Sequence, residues 1–231
     1  MFFGGISVGF IYFKDKINKV HIDRFSIKKV EFDGNEHVPE IILLKASGLK
    51  YKSNIFFQSI TDVKKRLESI SWIRSVEVQR KFPDKIYIRV SERTPIAILQ
   101  SKNRLYLVDS EGVVIKHDGI GDFSNLPIIA GAGAEKEAAS FLNCLNKFPK
   151  IKKQLVFAIR IGKRRWNIKI NRGITVKLPE RMVIQALGIL DEISDNNGFF
   201  HEDIISIDLR IPDRIIVIKK DMIDQKEKLN Q

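Results

Sequence analysis

Residues 71–97 read SWIRSVEVQRKFPDKIYIRVSERTPIA. Val76 and Val78 alternate with Ser75, Glu77 and Gln79, and after RKFPD Ile86, Ile88 and Val90 alternate with Lys85, Tyr87 and Arg89. A period of two places one set of side chains on each face of a strand, so the stretch predicts a β-hairpin with one apolar face. Pro83-Asp84 makes a tight reversal, which puts Val78 and Ile86 on the same sheet face. Trp72 joins the segment before it to the first strand, where its large apolar area closes a seam between helix and sheet.

Upstream, IKKVEFDGN (27–35) carries Ile27, Val30 and Phe32 and ends in a turn at Asp33-Gly34-Asn35, which reads as a strand. Pro39 suits the first turn of a helix, EIILLKAS follows, and Gly48 stands at its C-terminal end. Ser59 and Asp62 open a second helix like a capping box, with Ile60, Val63, Leu67 and Ile70 at helical spacing. Residues 25–93 therefore predict a β-α-α-β-β domain with two helices on one face of a three-stranded sheet.

Thr94-Pro95 marks a boundary, because proline interrupts a ladder. Residues 94–220 predict a second, mixed or antiparallel β-domain with flanking helices, giving an α+β chain. Its strands are AILQS, RLYLVD, GVVIK, LPIIAG, VFAIRIG, RWNIKI and ITVKLP, closing with DIISIDLR and RIIVIKK. Trp166, Ile168, Ile170, Ile174 and Val176 form the apolar face of the hairpin around Asn171-Arg172-Gly173. One helix spans about Glu135 to Phe148; another uses Val183, Ala186, Leu187, Leu190 and Ile193 and stops near Asn196-Asn197-Gly198. Residues 221–231 read as a polar tail and 14–24 as a linker.

The 231 residues carry 40 Lys and Arg against 28 Asp and Glu, a net charge of +12. The cations are spread from Lys14 to Lys228, often between apolar residues of strand-like runs, as on a solvated face. An anionic membrane surface is the next reading and nucleic acid the last, since no stripe of cations with stacking aromatics occurs. The apolar share of 44% is that of a folded protein, and the single Cys144 rules out an internal disulfide. Residues 2–13, FFGGISVGFIYF, are uncharged. As helix they reach about 18 Å, short of the ~30 Å hydrocarbon core. They read as the stub of a transmembrane helix in residues 1–13, with a buried strand as the alternative.

Chemistry is sparse. No G-x-S-x-G, H-E-x-x-H or P-loop pattern occurs. GAGAEK at 131–136 lacks the third glycine of a dinucleotide fingerprint and reads as a loop. His21, His37, His117 and His201 have no partner ligand at helical spacing, and Cys144 sits among core residues. Asp208, Arg210, Asp213 and Arg214 read as turn and edge charges. These residues assign no catalytic site, metal, cofactor or small-molecule substrate.

Ile215, Ile216, Val217 and Ile218 are apolar on both faces of any strand they form, whereas Ile205, Ile207 and Leu209 alternate. Asp213, Arg214, Lys219 and Lys220 guard only the ends of that run. Such an edge invites a partner strand, the alternative being a strand covered by a helix of its own domain.

The segment 71–97 resembles the POTRA signature of the FtsQ/DivIB cell-division family: Trp72, Val76, Val78, Arg80, Pro83, Asp84, Ile88, Val90, Glu92, Arg93, Pro95 and Ala97 stand in the family order. VDSEGVV (108–114), LPIIAG (126–131), RWNIKINRGITVKLPE (165–180), with Trp166, and IDLRIPDRIIV (207–217) extend it over about four-fifths of the chain. The resemblance implies a non-enzymatic scaffold, single-pass in the inner membrane with its domains in the periplasm at the septum, linking early and late division proteins. Its implied partners are FtsB and FtsL, with a segment of FtsB received on the last strands. The partner-binding residues are then Ile211, Asp213, Arg214, Ile215, Ile216, Val217 and Ile218. Another POTRA-type module, of outer-membrane assembly or secretion, is the alternative.

Overall fold

The computed structural model describes residues 24–116, 120–195 and 203–220. The apolar stretch 2–13, the linker up to residue 23, the helix stop at 196–198, His21, His117, His201 and the polar tail lie outside the described residues. The chain divides into two compact units between Arg93 and Thr94.

In the first unit, β1 (Lys29–Asp33), α1 (Glu40–Ser47), α2 (Ile60–Glu68), β2 (Ile73–Lys81) and β3 (Lys85–Glu92) follow in that order. The sheet runs β1-β3-β2, with β1 parallel and β2 antiparallel to the central strand. Val76 stands opposite Val90 and Val78 opposite Ile88, so Val78 and Ile86 share the apolar face. Ile86, Ile88 and Val90 are buried, as are Leu43 of α1 and Val63 and Leu67 of α2. Each such side chain contributes roughly 1.5–3 kcal/mol on leaving water, which holds the helices to this face. The Ser59 hydroxyl accepts the Asp62 N–H at 3.3 Å and caps α2. Pro39 precedes α1 rather than sitting in its first turn. Gly48 ends the helix in the left-handed region at φ 68°, returning its N–H to the Lys45 carbonyl.

The second unit comprises β4 (Pro95–Ser101), β5 (Arg104–Asp109), β6 (Val114–Ile115), β7 (Ile128–Ala130), α3 (Ala134–Leu145), α4 (Pro149–Gln154), β8 (Leu155–Ile161), β9 (Arg165–Ile170), β10 (Thr175–Lys177), α5 (Val183–Asp195), β11 (Ile204–Asp208) and β12 (Ile216–Lys219). The nine strands form one sheet in the order β12-β11-β10-β9-β8-β7-β4-β5-β6. β4–β7, β7–β8 and β10–β11 are parallel and the other pairs antiparallel, so the sheet is mixed and the chain α+β. Pro95 does not interrupt a ladder: it opens β4 opposite Asp109, at the first position a strand allows proline. The helix expected to reach Phe148 ends at Leu145, and Pro149, in the first turn of its own helix, starts α4.

One core holds this unit together, with Ile129, Phe141, Leu145, Val176, Leu190 and Ile207 among its buried members. Trp166 lies stacked on Phe141, ring centroids 4.6 Å apart. The VDSEGVV motif is a turn: the buried Asp109 carboxylate accepts the Glu111 and Val113 N–H groups at 2.9 and 2.8 Å. In GAGAEK, Gly131 has φ 99° and a Cβ there would run into the Arg160 carbonyl, so glycine is required for packing against β8.

Candidate functional site

β12 is the last strand of the nine-stranded sheet, paired with β11 on one side and with no described strand on the other. Its register sets Ile216 opposite Asp208, Val217 opposite Ile207, Ile218 opposite Ser206 and Lys219 opposite Ile204. Val217 packs against the core, Ile218 is half-buried and Ile216 is exposed at 44%. Ile215 falls outside the strand, so three of the four apolar residues, not all four, lie on β12. β11 carries a register shift between Ile204 and Ser206. Ile205 consequently turns to solvent, while Ile207 and Leu209 are buried. The alternation expected through Ile205, Ile207 and Leu209 therefore fails at Ile205, because the extra residue of a bulge resets the face.

The chain turns between the two strands at Ile211–Arg214, with Asp213 in the left-handed region at φ 59°. The turn is stapled from its base. The Asp208 carboxylate accepts Arg210 Nε at 2.8 Å, the Arg210 terminal nitrogen at 2.6 Å and the Arg210 backbone N–H at 3.1 Å. These donors hold the Asp208 carboxyl below the usual carboxylate range, the guanidinium first, against the opposing effect of its burial. A bidentate pair whose acceptor is already filled is an anchor for a turn rather than an acid or base waiting for substrate.

Beside the turn lies a groove of about 330 Å³, lined among others by Met182, Gln185, Ile189, Leu209, Ile211 and Arg214. Asp213 lines it too. It joins the start of α5 to the turn before β12, bringing Ile211, Asp213 and Arg214 to one site, which Ile215, Ile216, Val217 and Ile218 do not line. Sequence reading missed the α5 side. The available signal was Ile189, an apolar residue in excess of the stripe Val183, Ala186, Leu187, Leu190 and Ile193, which is exposed and lines the groove.

The residues of the hairpin signature do other work. Trp72 is buried, and Arg80 crosses from β2 to donate through Nε to the Ile55 carbonyl at 3.0 Å and through its terminal nitrogen to the Gln58 carbonyl at 2.6 Å. Asp84 pairs with Lys28 at 3.2 Å. Cys144 is half-buried against the second core. Among the described residues no three of His, Cys, Asp and Glu gather as metal ligands, and no helix is long and apolar enough to cross a membrane.

Two family models match the chain in succession: the POTRA domain, FtsQ-type, over residues 25–93, and Cell division protein FtsQ/DivIB, C-terminal, over residues 97–210. The chain belongs to the FtsQ/DivIB family. Its relatives include the cell division protein FtsQ of Rickettsia typhi, 36% identical over 80% of this chain and 70% of that protein. FtsQ of Rickettsia bellii is 34% identical over 84% and 73%, and FtsQ of Bradyrhizobium diazoefficiens 30% identical over 84% and 56%. A solved extracytoplasmic domain of DivIB from Geobacillus stearothermophilus aligns with 47% of this chain and 98% of its own, at 15% identity and a TM-score of 0.32, a likeness too slight to place any residue. A POTRA pattern alone is shared by assembly and secretion proteins. Followed by the second match, it places this FtsQ/DivIB chain among division proteins.

Proposed function

We propose that the protein is a non-enzymatic scaffold of the division septum, anchored once in the inner membrane with both units outside it. In this reading it links early and late division proteins and receives a strand of FtsB, within an FtsB–FtsL complex, onto β12. The observation that carries the reading is the position of β12 at the end of the nine-stranded sheet, with Ile216 exposed on it. An added strand satisfies backbone N–H and C=O groups along that edge, and these bonds supply affinity whatever the incoming side chains are. Selectivity then comes from the groove beside the turn. Met182, Ile189 and Ile211 offer apolar contact there, and Arg214 and Asp213 offer charge at its rim.

The test is capture of an FtsB–FtsL complex by the full chain and its Ile216→Lys variant. Ile216 is exposed, so lysine should leave the circular dichroism spectrum unchanged while placing a charge where the partner strand lies. At least a tenfold loss of capture is expected. Wild-type capture by a folded Ile216→Lys protein would put the partner site elsewhere, most simply on the first unit.

A further inference from the structure

Three segments distant in sequence meet at one end of the first unit. Ile55 donates its N–H to the Phe25 carbonyl and Ile27 donates to Ser53, both at 2.9 Å, which lays residues 25–27 beside 53–55. Lys28 donates to the Asp84 carbonyl at 2.8 Å, which ties the tip of the β2–β3 hairpin to the same place. This junction gathers aromatic rings. Phe56 lies 5.2 Å from Phe25 and 5.1 Å from Phe82, centroid to centroid, and Phe25 lies 6.5 Å from Phe82. The cluster is not a core. Phe56 and Phe82 are more than half exposed, Tyr51 likewise, and Phe57 is exposed at 85%. Arg80 holds the turn that presents Phe56 and Phe57 through its two bonds to Ile55 and Gln58.

Charge around the rings is predominantly positive. The segments 24–28, 50–57 and 81–84 contain Arg24, Lys28, Lys50, Lys52 and Lys81, and their single carboxylate, Asp84, is paired with Lys28. Exposed aromatics ringed by cations favour an interface with an apolar interior and an anionic surface, where rings sit at headgroup depth and cations meet phosphate. Chain continuity points the same way. Phe25 lies at this junction, and only the eleven residues 14–24 separate it from the end of the apolar run at Phe13. Fully extended, that stretch spans at most about 40 Å, so an anchor ending at Phe13 keeps this end of the unit within reach of its own bilayer.

We propose that this aromatic and basic end of the first unit is a lipid-contact surface that seats on anionic phospholipid headgroups. It rests on the reading of residues 2–13 as the end of a membrane anchor. Docking here would limit the rotation of the first unit about the linker, since a second contact with the bilayer turns a tether into a mount.

The experiment uses the full chain with vesicles of phosphatidylglycerol or of phosphatidylcholine, some prepared with brominated acyl chains, and Phe57→Trp as reporter. The native Trp72 and Trp166 are buried, and their signal is subtracted with the unsubstituted chain. Brominated phosphatidylglycerol should quench the added indole at least twofold, and Lys52→Glu with Lys81→Glu should abolish the quenching. An unquenched Phe57→Trp overturns the proposal. If the chain still floats with the vesicles in that case, the anchor stands without the docking surface; if it does not float, both fall. Equal quenching in neutral vesicles overturns the headgroup recognition. An emission change produced only by an FtsB–FtsL complex makes the surface a protein contact and overturns it as well.

Discussion

The His37 ring lies flat on the indole of Trp72, centroids 4.5 Å apart and planes within 8° of parallel. The same histidine is fixed from the other side: His37 Nδ1 is 2.8 Å from Glu92, whose carboxylate also accepts the His37 and Val38 N–H groups at 2.9 Å. The Arg93 N–H donates to the Trp72 carbonyl at 2.8 Å. Trp72, Glu92 and Arg93 of the hairpin signature thus close one joint, in which the end of β3 holds the entry to α1.

Trp72→Ala removes the centre of this joint. Loss of a buried aromatic of this size is expected to cost about 3–5 kcal/mol. Thermal unfolding of the first unit should shift down accordingly, while capture at β12 survives, because the second unit has its own core. A melt that barely moves would mean that the indole contributes little to packing.

Arg80 should prove irreplaceable by lysine. Its fork reaches two carbonyls of the 55–58 turn, and an ammonium cannot hold both in that geometry. Arg80→Lys is expected to lower stability by about 1.5–3 kcal/mol, the range for hydrogen bonds that involve a charged group. Amide exchange at Phe56 and Phe57 should quicken more than exchange along β2. Uniform change along both would show a general loss of stability instead.

The Asp208–Arg210 staple predicts an acid-side dependence. The carboxyl is held below its ordinary value in the folded chain, so its contribution is present above the unfolded carboxylate pKa, near 4. That contribution is lost as pH falls below 4 through the lowered folded value. Asp208→Asn is expected to cost about 1–2 kcal/mol at pH 7 and progressively less toward pH 2. Parallel stability curves for the two proteins across that window would show that the pair adds nothing.

Topology is checked on cells. If residues 1–13 end a membrane anchor and the two units stand outside, protease applied to intact spheroplasts should degrade residues 25–220. Complete protection of that region would reverse the orientation.

Local pattern determined much of this protein. A period of two announces the β2–β3 hairpin, and a period near 3.6 marks the buried stripes of α2 and α5, because each depends only on which neighbours along the chain share a face. The helix from Ala134 was legible for the same reason, and its early end at Leu145 less so, since Pro149 opens a new helix as readily as it closes an old one.

What the tertiary structure alone decided depends on contacts between distant residues. Nothing around Glu92 signals that its carboxylate serves the N–H groups of His37 and Val38. Nothing near Phe25 points to Phe56 and Phe82. The place of β12 at the sheet edge, the bulge that turns Ile205 outward and the groove between α5 and the 211–214 turn arise only once strands far apart in sequence have paired. Strand order and register are set by the total apolar area buried across the sheet, a sum over the whole unit that no local window contains.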